Sequence, residues 1–478
     1  VNTENNKLDN QLREKQIRKI ITLYVALVCT FAATGGFLFG LDQGFVNGAL
    51  EFITREFSLT AAQGGKFVAT MAWGSIVGAL FSGFLSYRLG RKWTLVLTAF
   101  IFLIASSISP ISSSIILLTI CRFILGWAVG VASMAAPLYL SEIAPAHLRG
   151  ALVSIYQFLI TLGIFSIYCT NSFFSYYTHS WRMMYLPIVI VAAIMFISCF
   201  FIPSTARWLL LKNRFNEAYE TLYKTRHDHT LIEEEIQNIK ATLTRYSDGS
   251  LLKNILKPMF LKALVVALAI QILQQFSGIN AIIYYSTSIF SQAGIGSSTI
   301  ATIVVGLVNM LSTIIAVLFV DKLGRKPILY VGLIIMLISL LVAGGVFYIK
   351  IHQVNLLSQY QTILLLAVLF YIFAFAISLG PITWIIVSEI FPLKTRDIGM
   401  MCAVLANWLS AGIVARFSGP IISLEGDLGA VKIFFFFAAC CAVGLLFVRF
   451  FIPETKDVSL EQIERNLLKG KRMRHIGR

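Results

Sequence analysis

Apolar residues in this chain gather into long blocks separated by short polar connections. A helix crosses a bilayer with about 20 mainly apolar residues. Twelve such blocks can be drawn, at roughly 20–42, 66–86, 93–112, 115–140, 151–173, 183–202, 260–290, 298–320, 327–349, 362–388, 399–421 and 431–451. The pattern predicts an all-α membrane protein of twelve transmembrane helices. The even number puts both termini on one side. The only long polar segment, about Ser204 to Lys257, follows the sixth block. Within it Ile232, Ile236, Ile239 and Leu243 recur at helical spacing opposite Glu233, Glu234 and Lys240, which predicts short amphipathic helices. The expected organisation is a tail (1–19), a six-helix half (20–202), a helical linker (203–258), a second six-helix half (259–452) and a tail (453–478).

The seventh block is the least like lipid-facing helix. Its middle reads Gln271-Ile-Leu-Gln274-Gln275-Phe-Ser277-Gly278-Ile-Asn280-Ala-Ile-Ile-Tyr284-Tyr285. Uncharged hydrogen-bonding groups are costly in hydrocarbon unless partnered. They also suit a neutral, hydroxyl-rich ligand, because each amide offers donors and an acceptor. On an ideal helix Gln275 and Asn280 lie about 140° apart. One face cannot present both, so either the helix bends at Ser277-Gly278 or a ligand is held at a turning surface that rotates as the site opens and closes.

Composition agrees with a polytopic membrane protein: 57% of residues are hydrophobic, 13% are charged, and mean hydropathy is +0.80. Soluble domains carry about 25% charge. A net charge of +16 does not indicate nucleic acid, because the basic residues sit in short loops and tails. Arg88, Arg91, Lys92, Arg149, Lys322, Arg325, Lys326, Lys394 and Arg396 fall on one side, with both basic tails, so that side and the termini are expected to be cytoplasmic. Membrane lipid is the expected surroundings; Lys471-Arg472-Met473-Arg474 reads as a solvated tail, with contact to anionic lipid as the alternative. The first block is expected to be an uncleaved anchor. The seven cysteines all lie in apolar stretches, without metal-ligand spacing or a disulfide framework. The histidines are scattered over loops and tails. No metal or organic cofactor is expected, and an enzyme reading finds no nucleophile with a base and no phosphate-cradling loop.

The halves repeat. Arg88-Leu-Gly90-Arg91-Lys92 after the second block returns as Lys322-Leu-Gly324-Arg325-Lys326 after the eighth, and Glu142-Ile-Ala-Pro145…Arg149 after the fourth returns as Glu389-Ile-Phe-Pro392…Arg396 after the tenth. Internally duplicated transporters hold their substrate between the halves near the midplane. Asp42, in Gly40-Leu41-Asp42-Gln43-Gly44 at the outer end of the first block, is the most informative charge. An ionisable group in hydrocarbon points to function, and Arg122 in the fourth block is its natural cation. Gly380-Pro381, one turn before Trp384, should disturb the tenth helix.

With Gly90-Arg91-Lys92, Glu142…Arg149-Gly150, Gln274-Gln275…Gly278-Ile279-Asn280, Gly380-Pro381…Trp384, Glu389…Arg396 and Pro453-Glu454-Thr455-Lys456, the chain resembles the sugar porter family of the major facilitator superfamily from about Gly35 to Glu461. The resemblance implies a proton-coupling pair at Asp42 and Arg122, with the proton as coupling ion. It implies sugar contacts at Gln157, Gln274, Gln275, Asn280, Asn309, Trp384 and Asn407, with Phe39, Phe375 and Trp408 beside them. Tyr284 and Tyr285 read as an extracellular lid. Arg91, Glu142, Arg149, Arg325, Glu389 and Arg396 read as a cytoplasmic gate of surface ion pairs.

The chain departs from the family pattern in three places. Ser204 stands where an acidic residue is usual, Tyr87 where many relatives carry Asp, and Ile164 where xylose–proton symporters carry Gln. The last departure favours a hexose. The expected activity is import of a monosaccharide with a proton by alternating access, by a monomer in a bacterial inner membrane. A facilitative uniporter shares the pocket without the coupling. A non-transporting sensor would need a signalling tail, and only 25 residues follow Pro453.

Overall fold

A computed structural model describes residues 2–145, 148–174, 177, 180–226, 228–244, 255–292, 298–352 and 358–477. Among them eleven helices are long and apolar enough to cross a membrane. One, Gln63–Ile111, has 49 residues and would be about 73 Å long if straight, far more than a bilayer's hydrocarbon core. It is two spans joined at Gly90, whose φ of +82° reverses the chain. Counted so, the spans are twelve. Span one is Asn2–Glu56; two and three lie in Ala61–Ile108; four is Ile115–Ile143; five is Arg149–Phe174; six is Leu186–Phe201. Seven is Pro258–Phe276 continued by Ile279–Gln292; eight is Ser298–Leu323; nine is Arg325–His352. Ten is Ser358–Ile377 continued by Leu379–Ile390, and eleven and twelve lie in Arg396–Phe451, parted at Gly426. The ends carry expected signals: Thr60 and Gln63 form a capping box before span two, and Ser114 caps span four.

The pairing of spans repeats with the sequence. One packs on five, two on four and three on six, and likewise seven on eleven, eight on ten and nine on twelve. The halves meet where span two lies along eleven and five along eight. Those two seams are equivalent under the six-span repeat.

Backbone-to-backbone packing fixes the N-terminal half. Gly36, Gly40, Gly44 and Gly48 lie one turn apart along span one. A Cβ at these positions would run into the Tyr156 and Ile160 carbonyls, the Ile167 side chain and Asn171 of span five. Spans two and four interlock the same way, with Gly74 and Gly78 on one helix and Gly126 and Gly130 on the other. In lipid, helix association depends on such close approach rather than on hydrophobic contrast.

The apolar count misplaces Asp42. It is not at the outer end of span one, because the helix continues to Glu56. The residues after Asp42 face protein rather than lipid, so they need not be apolar enough to register as a span. The linker forms Ala206–Leu211, Phe215–Arg226 and His229–Thr244. Its apolar faces, Ile232 and Ile239 among them, close over a small second core with Trp208, Leu222 and Leu393.

Candidate functional site

Between the halves is a narrow cavity of about 50 Å³. Its lining includes Phe39, Gln157, Gln274, Gln275, Asn280, Asn309, Phe375, Trp384, Asn407 and Trp408, the ten side chains singled out as sugar positions. Sequence reasoning did not single out Gln43, Ile160, Ile279, Ile283 and Ala411, which also line it; Ile164 stands on the wall as well. Aromatic contacts cross the gap between halves. Phe39 meets Trp408 with ring centroids 5.2 Å apart, and Tyr156 meets Trp384 edge-on at 5.9 Å.

Span seven does break where Gln275 and Asn280 require it. Gly278 has φ +99°, and Asn280 Nδ2 donates to Gln275 Oε1 at 2.6 Å, a pairing a straight helix forbids. The break frees the Ser277 carbonyl, which the Tyr371 hydroxyl of span ten takes at 2.9 Å. Span ten breaks in turn at Ser378, just ahead of Gly380-Pro381. There Gln274 Nε2 donates to the Leu379 and Gly380 carbonyls and, at 2.6 Å, to Thr383 Oγ1. The backbone freed by the break in span seven is thus satisfied from span ten, which is how irregular backbone survives at membrane depth.

The amides form one chain. Asn407 Nδ2 donates to Gln271 Oε1 and Gln274 Oε1, and Gln275 Nε2 donates to Asn407 Oδ1. Gln274 therefore reaches the cavity wall with both polar atoms engaged. Other groups have no protein partner: Asn309 Oδ1 and Trp408 Nε1 are buried without one. An orphan acceptor and an orphan donor on one cavity match a ligand that both gives and takes hydrogen bonds.

Asp42 is fully buried. Arg122 Nη1 of span four stands 2.6 Å from its Oδ1, while Oδ2 has no partner. The next residue, Gln43, donates to Asn280 Oδ1 of the other half at 2.9 Å. The side chains of Tyr284 and Tyr285 lie outside the described residues.

At the end of the bundle bearing the basic motifs the halves are clasped. Arg91 Nη2 is 2.9 Å from Glu142 and 3.1 Å from Asp397 of the other half. Arg149 stands 3.7 Å from Glu389, which also takes Arg325 at 3.3 Å. Asp321 accepts from the Ala151 N–H at the start of span five and from Arg325. Apart from the partly exposed Asp321, these groups are buried, not surface pairs as the sequence suggested: Arg207 of the linker donates to the Glu142 carbonyl, and Val458 and Thr455 of the tail bond Arg149 and Glu389. Arg396 does not repeat the role of Arg149: it donates to the Phe391 carbonyl, and its neighbour Asp397 makes the bridge instead. Asp397 went unrecognised in the sequence, although it aligns with Gly150 in the repeat. So did Glu461; Glu454, named only within the Pro453-Glu454-Thr455-Lys456 motif, accepts from the first two N–H groups of span nine. Arg207, beside the unusual Ser204, finds its carboxylate in Glu461 of the tail at 2.7 Å. Burial pushes the Glu461 carboxyl up, but Arg207 outweighs this and holds it at about 2.

Comparison with known proteins agrees with this architecture. The profile of the "Sugar (and other) transporter" family matches residues 28–467. The galactose-proton symporter of Escherichia coli (strain K12) is 40% identical over 97% of this chain and 98% of its own. The proton:xylose symporter XylE bound to 6-bromo-6-deoxy-D-glucose superimposes with a TM-score of 0.84 at 31% identity, covering 93% of this chain and 99% of that one. The inward-open form of XylE from E. coli, also 31% identical and covering 92% and 99%, reaches only 0.69. At equal identity, this chain superimposes better on the sugar-bound structure than on the inward-open one. The chain belongs to the sugar transporter family and is an integral membrane transporter.

Proposed function

We propose that this protein imports a monosaccharide, of hexose type, together with a proton by alternating access. The observation that carries the coupling is Asp42: a fully buried carboxylate with one oxygen on Arg122 and the other bare, one residue from a side chain in the cavity. The bare Oδ2 is where a proton would add. Protonation removes the charge that holds Arg122 and so alters how span one is held. The orphan polar atoms of Asn309 and Trp408 support a hydroxylated ligand, and the galactose-proton symporter supports the class. Ile164 on the cavity wall favours hexose over xylose.

In this reading the amides of Gln157, Gln275, Asn280, Asn309 and Asn407 address sugar hydroxyls, and Trp384 offers its face to the sugar's C–H surface. Tyr284 and Tyr285 serve as the extracellular gate. The clasp around Arg91, Glu142, Arg149, Arg325 and Glu389 is the cytoplasmic gate, closed while the site faces outward. The functional domains are the halves at 20–202 and 259–452, joined by the linker at 203–258. Both termini are cytoplasmic, the membrane is a bacterial inner membrane, and the monomer is the working unit.

The test is Asp42→Asn in vesicles with an imposed pH gradient. Uphill accumulation of labelled sugar should vanish while exchange of labelled for unlabelled sugar persists. If the variant still concentrates sugar, Asp42 does not carry the proton. If the wild type never accumulates uphill and causes no alkalinisation, the protein is a uniporter.

A further inference from the structure

Asp42 and Gln43 are successive residues of one helix, so their side chains leave it about 100° apart. Asp42 turns to Arg122 in its own half. Gln43 turns across the gap, is 5% exposed, and donates to Asn280 Oδ1. From Asn280 the bonds run in one sense: to Gln275 at 2.6 Å, to Asn407 at 3.2 Å, then to Gln271 and Gln274 at 2.6 and 2.7 Å. Gln274 delivers the last donor to span ten at Thr383. In such a chain each amide's orientation is set by the one before it. The glycine stripe binds span one to span five, so Gln43 moves with the N-terminal half as a body. Its bond to Asn280 therefore reports how closely the halves approach at the cavity.

We propose that Gln43 is a positioning residue for coupling: through its bond to Asn280 it carries the protonation state of Asp42 into the orientation of the cavity's amides. The inference rests on the proton-coupled reading above. The titratable and charged groups facing Asp42 are Arg122 of span four and Tyr185 ahead of span six, which lies within electrostatic reach of both charges. The C-terminal half meets this level of span one through Asn280, which is uncharged. The proton's effect therefore has an uncharged route across the gap, and Gln43 is its first member.

The experiment compares the purified full-length protein with Gln43→Met and Gln43→Leu, neither of which keeps the amide donor. D-galactose affinity is read from tryptophan fluorescence at acid and at alkaline pH, since Trp384 and Trp408 line the cavity. Sugar-induced proton uptake is measured alongside. The acid-to-alkaline affinity ratio should fall by about two- to twelvefold, the range one net hydrogen bond allows. Proton uptake on sugar binding must shrink with it, because coupling is reciprocal.

A wild-type ratio retained in both variants overturns the inference and leaves proton coupling standing. Loss of galactose binding at acid pH in variants that elute as folded protein also overturns it, by making Gln43 part of the sugar site itself. A wild type with no pH-dependent affinity and no proton uptake removes the coupled reading, and the inference with it.

Discussion

Replacing Asp397 by Asn tests whether the seam between spans two and eleven is held by charge. Asp397 Oδ1 lies 3.1 Å from Arg91 Nη2 and 3.3 Å from Ser86 Oγ, both in the other half. The groups are buried, so the usual discount for exposed pairs does not apply. Removing one member of a buried pair costs about 3–5 kcal/mol. Arg91 keeps Glu142 at 2.9 Å, which places the loss at the lower end, about 3 kcal/mol. The contact exists only while this end is closed, so the loss falls on the closed arrangement. At about 1.4 kcal/mol per factor of ten, the open-to-closed ratio rises about a hundredfold. Backbone hydrogen exchange reads this out at the starts of spans three and eleven, where amides would exchange through opening. Asp457→Asn is the control: its side chain is 60% exposed and lies 3.9 Å from Lys456, and exposed pairs contribute about 0–1 kcal/mol. If Asp397→Asn exchanges no faster than this control, the seam is held by packing, and the charge contributes nothing to closure.

Two further outcomes follow from the geometry. Gly278→Ala should abolish transport and lower the melting temperature in detergent, because φ is +99° and a Cβ would overlap the Phe437 ring; the backbone strain alone is about 1–3 kcal/mol, and an unchanged melt with normal uptake would refute the need for glycine. Glu461, held at about 2 against an ordinary 4.5, contributes stability that is present above its unfolded value and lost as pH falls toward about 2, worth about 3 kcal/mol at neutral pH; Glu461→Gln should melt lower than wild type at neutral pH, and the gap should close through that acid window.

The twelve spans were legible because bilayer thickness imposes block length, and the halves because two motifs recur in order. The break in span seven was legible as one of two readings, since Gln275 and Asn280 cannot share a face of an unbroken helix. The partners were not. Asp397 reaches Arg91, and Gln43 reaches Asn280, only once helix rotation and the approach of the halves are known. Neither appears in a hydropathy count. Span one was read short because apolar blocks mark contact with lipid, and the stretch beyond Asp42 contacts protein. The clasp was misjudged as a surface feature because nothing local in the motifs records that linker and tail will bond to them.

The glycine stripe also has a consequence for biosynthesis. Span one leaves the ribosome well before what it docks against: Arg122 is 80 residues beyond Asp42, and Asn171 is 127 residues beyond Gly44. At about 5–20 residues per second, span one waits about 4–16 s for its counter-charge and about 6–25 s for its docking surface. Meanwhile Asp42 sits without Arg122, at a cost near the helix centre of about 2.5–3.5 kcal/mol. The membrane-insertion machinery must therefore shelter the first helix until the fifth arrives, and the nascent chain is at its most vulnerable to quality control in that interval.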